Sequence, residues 1–357
     1  PVALLIGGRI AGIPLATLLS AHYTPLCARY AASLLALLAL WLAVTLLVRF
    51  ALRLPLARRL FVHRVLVVGP DAAALRAQLT PLAADRFAFS DAADPPTGRP
   101  WAVLLATPQE AGAITPALRA YRQQGARIFD RAGFAEHCLG RVDLDLLTEA
   151  WFLSGDGFAE TRLQAAARRG LDLSVSLILL VLTFPLMLAV ALAISFDSAG
   201  PVLYRQERVG RHGIPFTLFK FRSMRADAEK GGAPRWATLG DSRVTRIGRI
   251  IRATRIDELP QLVNVLRGEM SLVGPRPERP HFVEQLAEVI PFYRERSLVK
   301  PGVTGWAQVN YPYGASVEDA REKLAYDLYY IKHRSLLLDL LVLLSTVRVV
   351  LLREGAR

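Results

Sequence analysis

Cysteine, histidine and acidic side chains are all scarce in this sequence, and each shortage removes a class of function. Two cysteines, Cys27 and Cys138, stand far apart in unlike contexts among 357 residues, which excludes a disulfide framework and a thiolate metal site. The six histidines form no HExxH pair or comparable cluster, so a zinc hydrolase has no support. Asp and Glu number 31 against 44 Lys and Arg, a net charge of +13. That imbalance calls for an anionic partner: phosphate, anionic lipid or nucleic acid. Zinc-finger spacing is missing, and the basic residues sit beside apolar runs rather than within an interleaved aromatic surface, so nucleic acid is not the expected partner. With 52% apolar residues, a membrane protein with a basic face fits better.

Apolar runs are what the chain has in plenty. Ala31 to Val48 carries no charge for 18 residues and is followed by Arg49, Arg53, Arg58 and Arg59, which meets the length and positive-inside criteria for a spanning helix with its C-terminal end in the cytoplasm. Pro1 to Leu19 is apolar but broken by Gly7, Gly8, Arg9 and Pro14. The sequence opens at Pro1 rather than Met, so the number of spans in the full gene product is left open. From His63 the pattern changes to a buried strand entering a turn, then a helix over Ala72 to Leu79, then a second strand over Trp101 to Ala106. These predict a small parallel α/β domain over about 60–150. Its first turn, Gly69-Pro-Asp, lacks two of the three glycines of a dinucleotide fingerprint. A regulatory or packing role without bound nucleotide is the expectation.

A second run, Leu173 to Phe196, has 24 uncharged residues with Pro185 at its middle. Arg162, Arg168 and Arg169 precede it and Arg205, Arg208 and Arg211 follow, so both ends ask for the cytoplasmic side. A proline removes one helix hydrogen bond and supplies a bend. A helix that enters one leaflet and returns, and a kinked span, both satisfy these features. Pro201 to Arg208 and Ile214 to Met224 then predict a β-hairpin around Gly210–Gly213. Lys220 and Arg222, two apart in its second strand, project from one face and together suit an oligophosphate. Residues 225–245 predict a loop over a site.

Charge and apolar pattern are densest from Arg252 to Gly268. Thr254 and Asp257 have capping-box spacing, and Leu259, Leu262, Val263 and Leu266 supply an apolar helix face. Asp257 and Glu258 would then sit in a helical first turn, where acids ordinarily complement the dipole. Capping does not account for Arg252, Arg255 and Pro275-Arg276-Pro277 around the same end. Helix N-terminal amides and arginines bind phosphate, and a carboxylate held among them can attack phosphorus. Basic neighbours are expected to keep Asp257 ionised at neutral pH.

From about Arg168 onward the chain resembles the bacterial sugar transferases that act as monotopic phosphoglycosyl transferases. Five motifs carry the resemblance in family order: Lys220-Phe-Arg-Ser-Met224, Asp257-Glu-Leu-Pro-Gln-Leu262, Gly274-Pro-Arg-Pro277, Pro301-Gly-Val-Thr-Gly-Trp306 and Tyr326-Asp-Leu-Tyr-Tyr-Ile331. The segment Gln308 to Asp319 resembles the exopolysaccharide-associated branch. The resemblance implies that Asp257 attacks the β-phosphate of a UDP-sugar, that UMP departs, and that undecaprenyl phosphate captures the aspartyl-phosphosugar. This would be the first membrane step of exopolysaccharide synthesis, at the cytoplasmic face of the bacterial inner membrane. Mg²⁺ is implied with Asp257 as its protein contact, which suits one carboxylate plus substrate phosphates. Glu258 is implied as the second acid of the dyad. Lys220, Arg222, Arg252, Arg276 and Asp327 match polar positions near the active site. A re-entrant helix is implied at Pro185, where this chain has Phe184-Pro185 in place of the common Ser-Pro and Thr183 as a substitute. Interfacial last helices are implied over Ser335 to Leu352, where Asp339 and Arg348 are awkward inside a bilayer.

The architecture expected is therefore an α+β membrane protein: a membrane-spanning region over 1–59, a Rossmann-like α/β domain over 60–150, and a mostly helical catalytic domain over 160–357 with its re-entrant helix at 173–196. Lipid bilayer, UDP-sugar and undecaprenyl phosphate are the partners, and self-association as a homo-oligomer is left open. Two alternatives stand beside this reading, a glycosyltransferase that releases UDP and a non-catalytic membrane scaffold.

Overall fold

The apolar run His63–Val68 forms β1, the inner strand of a four-stranded sheet of order β2-β1-β3-β4. The structure is a computed structural model. It describes residues 62–352 apart from 92–98, 107–110, 155, 159, 226–227, 229–240, 313 and 315. The expected span Ala31–Val48, the apolar stretch before it and most of the loop 225–245 lie outside the described residues. Compact folding divides the chain into Pro1–Phe129 and Asp130–Arg357.

In the first unit β1 is followed by α1 (Ala72–Ala83), β2 (Phe87–Ser90), β3 (Ala102–Leu105), α2 (Ala111–Gln123) and β4 (Arg127–Asp130). Val65 lies opposite Phe89 of β2 and Ala102 of β3, both pairings parallel. Val65, Leu66 and Val67 are all buried, the continuous apolar run expected of a strand covered on two faces. The turn begins at Gly69, whose φ of 129° is one side chains rarely allow. Residues 130–150, read from the sequence as the end of the α/β domain, fold with the second unit. There Trp306 Nε1 donates to the Gly140 carbonyl at 2.7 Å and Arg141 pairs with Glu322.

The second unit is dominated by α3 (Arg162–Asp197), a helix of 36 residues opened by a Thr161/Gln164 capping box. A straight helix of that length extends about 54 Å. It is the one helix among the described residues long and apolar enough to cross a membrane, and only 11% of its apolar window is buried in the protein. Leu177, Ile178, Val181, Leu182, Phe184, Leu188 and Leu192 all face outward, an apolar surface that water would not tolerate at this size. The helix runs unbroken through Pro185. Thr183 Oγ1 donates to the Leu179 carbonyl at 2.7 Å, so threonine does supply an extra backbone bond beside the proline.

Both ends of α3 hold the same folded unit. Near its start, Arg169 donates to the carbonyls of Val265 and Leu266, and Asp172 accepts from Ser271 and the Leu272 amide. Near its end, Val190 and Ile194 pack on Phe221 and Ile251, and Asp197 accepts from the Ile247 amide.

The hairpin is as expected: β5 (Leu203–Val209) pairs antiparallel with β6 (Pro215–Phe221), Leu203 opposite Phe221. Then follow α4 (Arg246–Ala253), α5 (Gln261–Arg267), β7 (Ser271–Val273), α6 (Pro280–Val289), β8 (Gly302–Thr304), α7 (Val317–Lys332) and α8 (Leu336–Leu352), with β7 and β8 parallel. Leu262, Val265, Met270, Leu324 and Leu328 are buried in one core. Each such side chain contributes about 1.5–3 kcal/mol by leaving water. On α8 an apolar face is exposed at Leu337, Leu340, Leu341, Leu344 and Val347. Asp339 is not presented to that face, contrary to the expectation of an acid awkward in lipid. It is 1% exposed and accepts from Arg168 Nε at 2.7 Å and Tyr330 Oη at 2.6 Å. A buried carboxylate is tolerated only with such partners, and α3 and α7 supply them.

Candidate active site

Pro260 sets the local geometry of the two acids. Its ring cannot donate an amide and collides with the carbonyl four residues earlier, so a continuous helix from α4 into α5 is blocked. The chain instead leaves α4 at Thr254, turns through Arg255 in the left-handed region (φ 57°), makes a single 3-10 turn over Ile256–Glu258, and restarts as α5. The expected capping box is therefore replaced. Thr254 Oγ1 donates back to the Ile250 carbonyl at 2.9 Å and closes α4 rather than opening a helix. On a turn with three residues per repeat, neighbouring side chains diverge by about 120°. Asp257 and Glu258 consequently face different surroundings, although both are 8% exposed.

Glu258 takes the cations. Its Oε1 accepts from Arg276 Nη2 at 2.7 Å and Lys220 Nζ at 3.2 Å, with Arg255 Nη1 at 3.6 Å. Burial opposes the charge, yet Arg276, Lys220 and Arg255 overcome it and hold the carboxyl below the ordinary glutamate range. Among the described residues Asp257 has no such partners, and its buried Oδ1 makes no hydrogen bond. Burial first, then the charge of Glu258, push its pKa up to about 6 against the pull of Lys220, Arg276 and Arg252. Lys220, Arg276 and Arg252 do favour ionised Asp257, as expected, but burial and Glu258 outweigh them, and the hydrogen bonds of Lys220 and Arg276 go to Glu258. At neutral pH Asp257 is still mainly a carboxylate, poorly solvated and, among the described residues, with an oxygen that has no partner.

The sequence-predicted residues separate into four positions. Lys220 and Arg276 meet Glu258 directly, and burial lowers the lysine pKa while Glu258 opposes that fall. Arg252, half-buried on the last turn of α4, contributes its charge to Asp257 without a hydrogen bond among the described residues. Asp327 lies one layer back: it accepts from Arg296 Nη2 at 2.8 Å, and the same nitrogen donates to the Arg276 carbonyl at 3.0 Å. Arg222 is elsewhere. It lies just past β6 and donates to the Ser198 carbonyl and hydroxyl at 2.5 and 3.0 Å, which closes the end of α3. The one-face argument for Lys220 and Arg222 fails because β6 ends at Phe221.

Sequence reasoning missed two polar residues, one buried and one nearly so. Asn264 is fully buried on α5; its Nδ2 donates to the Thr217 carbonyl at 2.7 Å and its Oδ1 accepts the Phe219 amide at 3.1 Å. This locks α5 to β6 and so brings Lys220 to Glu258. Its signal was a lone amide inside an apolar helix face. Arg296, in the 3-10 segment Tyr293–Leu298, had no periodicity to reveal it.

Among the described residues no group of three or more His, Cys, Asp or Glu could hold a metal by itself. The unpartnered Oδ1 of Asp257 does fit a cation that takes one carboxylate oxygen and completes its shell from phosphates and water.

The family model described as bacterial sugar transferase matches residues 163–353, from the start of α3 to the end of α8 and over half the chain. The chain belongs to this family. Among relatives, an Aeromonas hydrophila protein named UDP-N-acetylgalactosamine-undecaprenyl-phosphate N-acetylgalactosaminephosphotransferase is 47% identical over 62% of this chain and 52% of its own length. A Caulobacter vibrioides protein named UDP-glucose:undecaprenyl-phosphate glucose-1-phosphate transferase is 46% identical over 53% of this chain and 71% of its own length. An Escherichia coli protein of that same name is 41% identical over 50% of this chain and 39% of its own. The chain spans about half the length, or less, of the first curated relatives it matches. Pro185, Lys220, Arg222, Arg252, Asp257, Glu258, Arg276 and Asp327 all fall within the matched span 163–353.

Proposed function

We propose that this protein transfers a sugar-1-phosphate from a UDP-sugar to undecaprenyl phosphate through a covalent Asp257 intermediate, at the cytoplasmic face of the bacterial inner membrane. The observation that carries the reading is the division between the acids: Glu258 takes the cations on its Oε1, whereas among the described residues Asp257 keeps a buried oxygen without a partner. A carboxylate of that kind is under-solvated and nucleophilic. The relatives' names supply the substrate class.

In the first step an Asp257 oxygen forms a bond to the β-phosphorus, and the bond from that phosphorus to the bridging oxygen breaks. UMP leaves with the electron pair. In the second, a phosphate oxygen of the lipid attacks the same phosphorus, the Asp257–phosphorus bond breaks, and the sugar leaves on a lipid diphosphate. Arg276 and Arg252 offset phosphate charge, and Lys220 with Glu258 keeps Arg276 in place. Asp257 would also hold Mg²⁺, which supplies neutralisation of the diphosphate when bound.

The membrane reading is supported by α3. A helix that crossed the bilayer would put its ends on opposite sides of about 30 Å of hydrocarbon, while Arg169 and Asp172 at one end and Ile194 and Asp197 at the other engage one folded unit. A re-entrant course with Pro185 at its turn accommodates both. We assign the exopolysaccharide role to the same reading. The test is the nucleotide product: UMP is expected from UDP-sugar and undecaprenyl phosphate, and UDP would mean sugar transfer without its phosphate.

A further inference from the structure

A second set of cations lies where α3 leaves the folded unit for its apolar stretch. Arg168 and Arg169 of α3, Arg211 of the hairpin turn, Lys300 ahead of β8 and Arg334 ahead of α8 line a cavity of about 120 Å³ that shares no residue with the Asp257 cluster. Two carboxylates also line it, and both are already engaged. Glu160 accepts from Arg168 and, at 2.6 Å, from Arg334. Asp172 Oδ1 accepts from Ser271 Oγ at 3.0 Å and the Leu272 amide at 2.9 Å. Arg169 spends its fork on the Val265 and Leu266 carbonyls at 2.6 and 2.8 Å, which fixes the guanidinium without neutralising it. Arg211 and Lys300 have no hydrogen-bond or ion-pair partner among the described residues.

Three positive charges, Arg169, Arg211 and Lys300, therefore converge against one carboxylate, Asp172, and positive charge is left in excess. Burial first, then Arg169 and Arg211, lower the pKa of Lys300 although Asp172 and Glu160 oppose the fall, and a bound anion would oppose it further. The cavity's height in a bilayer follows from α3. Asp172 lines it, and the charge-free run of α3 with its outward-facing apolar residues begins at the next position, Leu173. Headgroup phosphates lie at that boundary between hydrocarbon and water.

We propose that this cavity is a phosphate site separate from the catalytic pair, built from Arg169, Arg211 and Lys300 to take the phosphate of an anionic lipid headgroup or a free phosphate ion. The anion site stands on its own geometry; only the lipid as source rests on α3 being embedded. The test titrates the full chain in detergent with dihexanoyl phosphatidylglycerol, dihexanoyl phosphatidylcholine and inorganic phosphate, followed by phosphorus NMR. Phosphatidylglycerol or inorganic phosphate should bind more tightly than phosphatidylcholine. Arg211→Gln and Lys300→Gln should each weaken that binding about fivefold, and Lys300→Arg should preserve it. Arg211 is exposed on a turn, so its variant reports even where Lys300→Gln folds poorly. Tighter binding of phosphatidylglycerol assigns the headgroup, and equal or tighter binding of inorganic phosphate assigns the free ion. Binding unchanged in Arg211→Gln and Lys300→Gln, or no preference over phosphatidylcholine, overturns the site. UMP release should be unaltered in Arg211→Gln, which separates failure of this site from failure of the catalytic reading.

Discussion

Replacing Glu258 by Gln should move the acid limb of the first half-reaction downward in pH. In the native site burial and the Glu258 charge lift Asp257 to about 6, so nucleophilic carboxylate is lost as pH falls through that value. Two carboxylates roughly 6 Å apart at an effective dielectric near 20 repel by about 3 kcal/mol, or about two pKa units. Glutamine removes the repulsion and frees Lys220, Arg276 and Arg255 from their carboxylate, so that Lys220 and Arg276 act on Asp257 without competition from Glu258. The limb near pH 6 should therefore shift by at least one unit towards acid, whatever happens to the absolute rate. The assay is UMP formed in a single turnover from UDP-sugar without lipid, from pH 4.5 to 8. A limb that stays near 6 in Glu258→Gln, or moves to higher pH, refutes the coupling between the two acids.

Asn264→Ala removes the partner of the Phe219 amide and of the Thr217 carbonyl and should cost about 2 kcal/mol, read as a lowered midpoint in chemical denaturation. Arg296→Met leaves Asp327 buried without its guanidinium and should cost about 3–5 kcal/mol; Arg296→Met with Asp327→Leu should recover much of that loss in the same measurement. Arg222→Lys should leave the KM for UDP-sugar unchanged, because Arg222 holds Ser198 rather than the acids, whereas Arg276→Lys, which loses the contact to Glu258, should change the kinetics of UMP release by tenfold or more. Cysteines placed at positions flanking α3 should both react with an impermeant reagent from the cytoplasmic side alone, and labelling of either from the periplasm would make the helix a full span.

Much of this architecture is written in local patterns. The run of Val65 to Val67 specified a buried strand, glycines at 210 and 213 specified the hairpin turn, and the charge-free stretch after Asp172 specified a long helix with an exposed apolar surface. Pairing of charges was less legible, because it depends on elements distant in sequence. Arg222 looked equivalent to Lys220 at a spacing of two, yet the strand ends between them and the arginine reaches back to Ser198. Asp339 looked like a defect in an apolar helix until Arg168, 171 residues earlier, was brought against it. Thr254 and Asp257 had the right interval for a cap, but the interval says nothing of the left-handed turn at Arg255 that separates them. Which acid the arginines would choose was beyond the pattern altogether, since Asp257 and Glu258 are neighbours and only the 3-10 turn sends them to different partners.

The most direct measurement is the intact mass of the protein after incubation with a UDP-sugar in the absence of lipid. The account predicts a gain equal to one sugar phosphate, carried on the peptide containing Asp257, absent in Asp257→Asn, and removed when undecaprenyl phosphate is added. An adduct that persists in Asp257→Asn, or turnover to UMP and lipid product by that variant at the native rate, would contradict it.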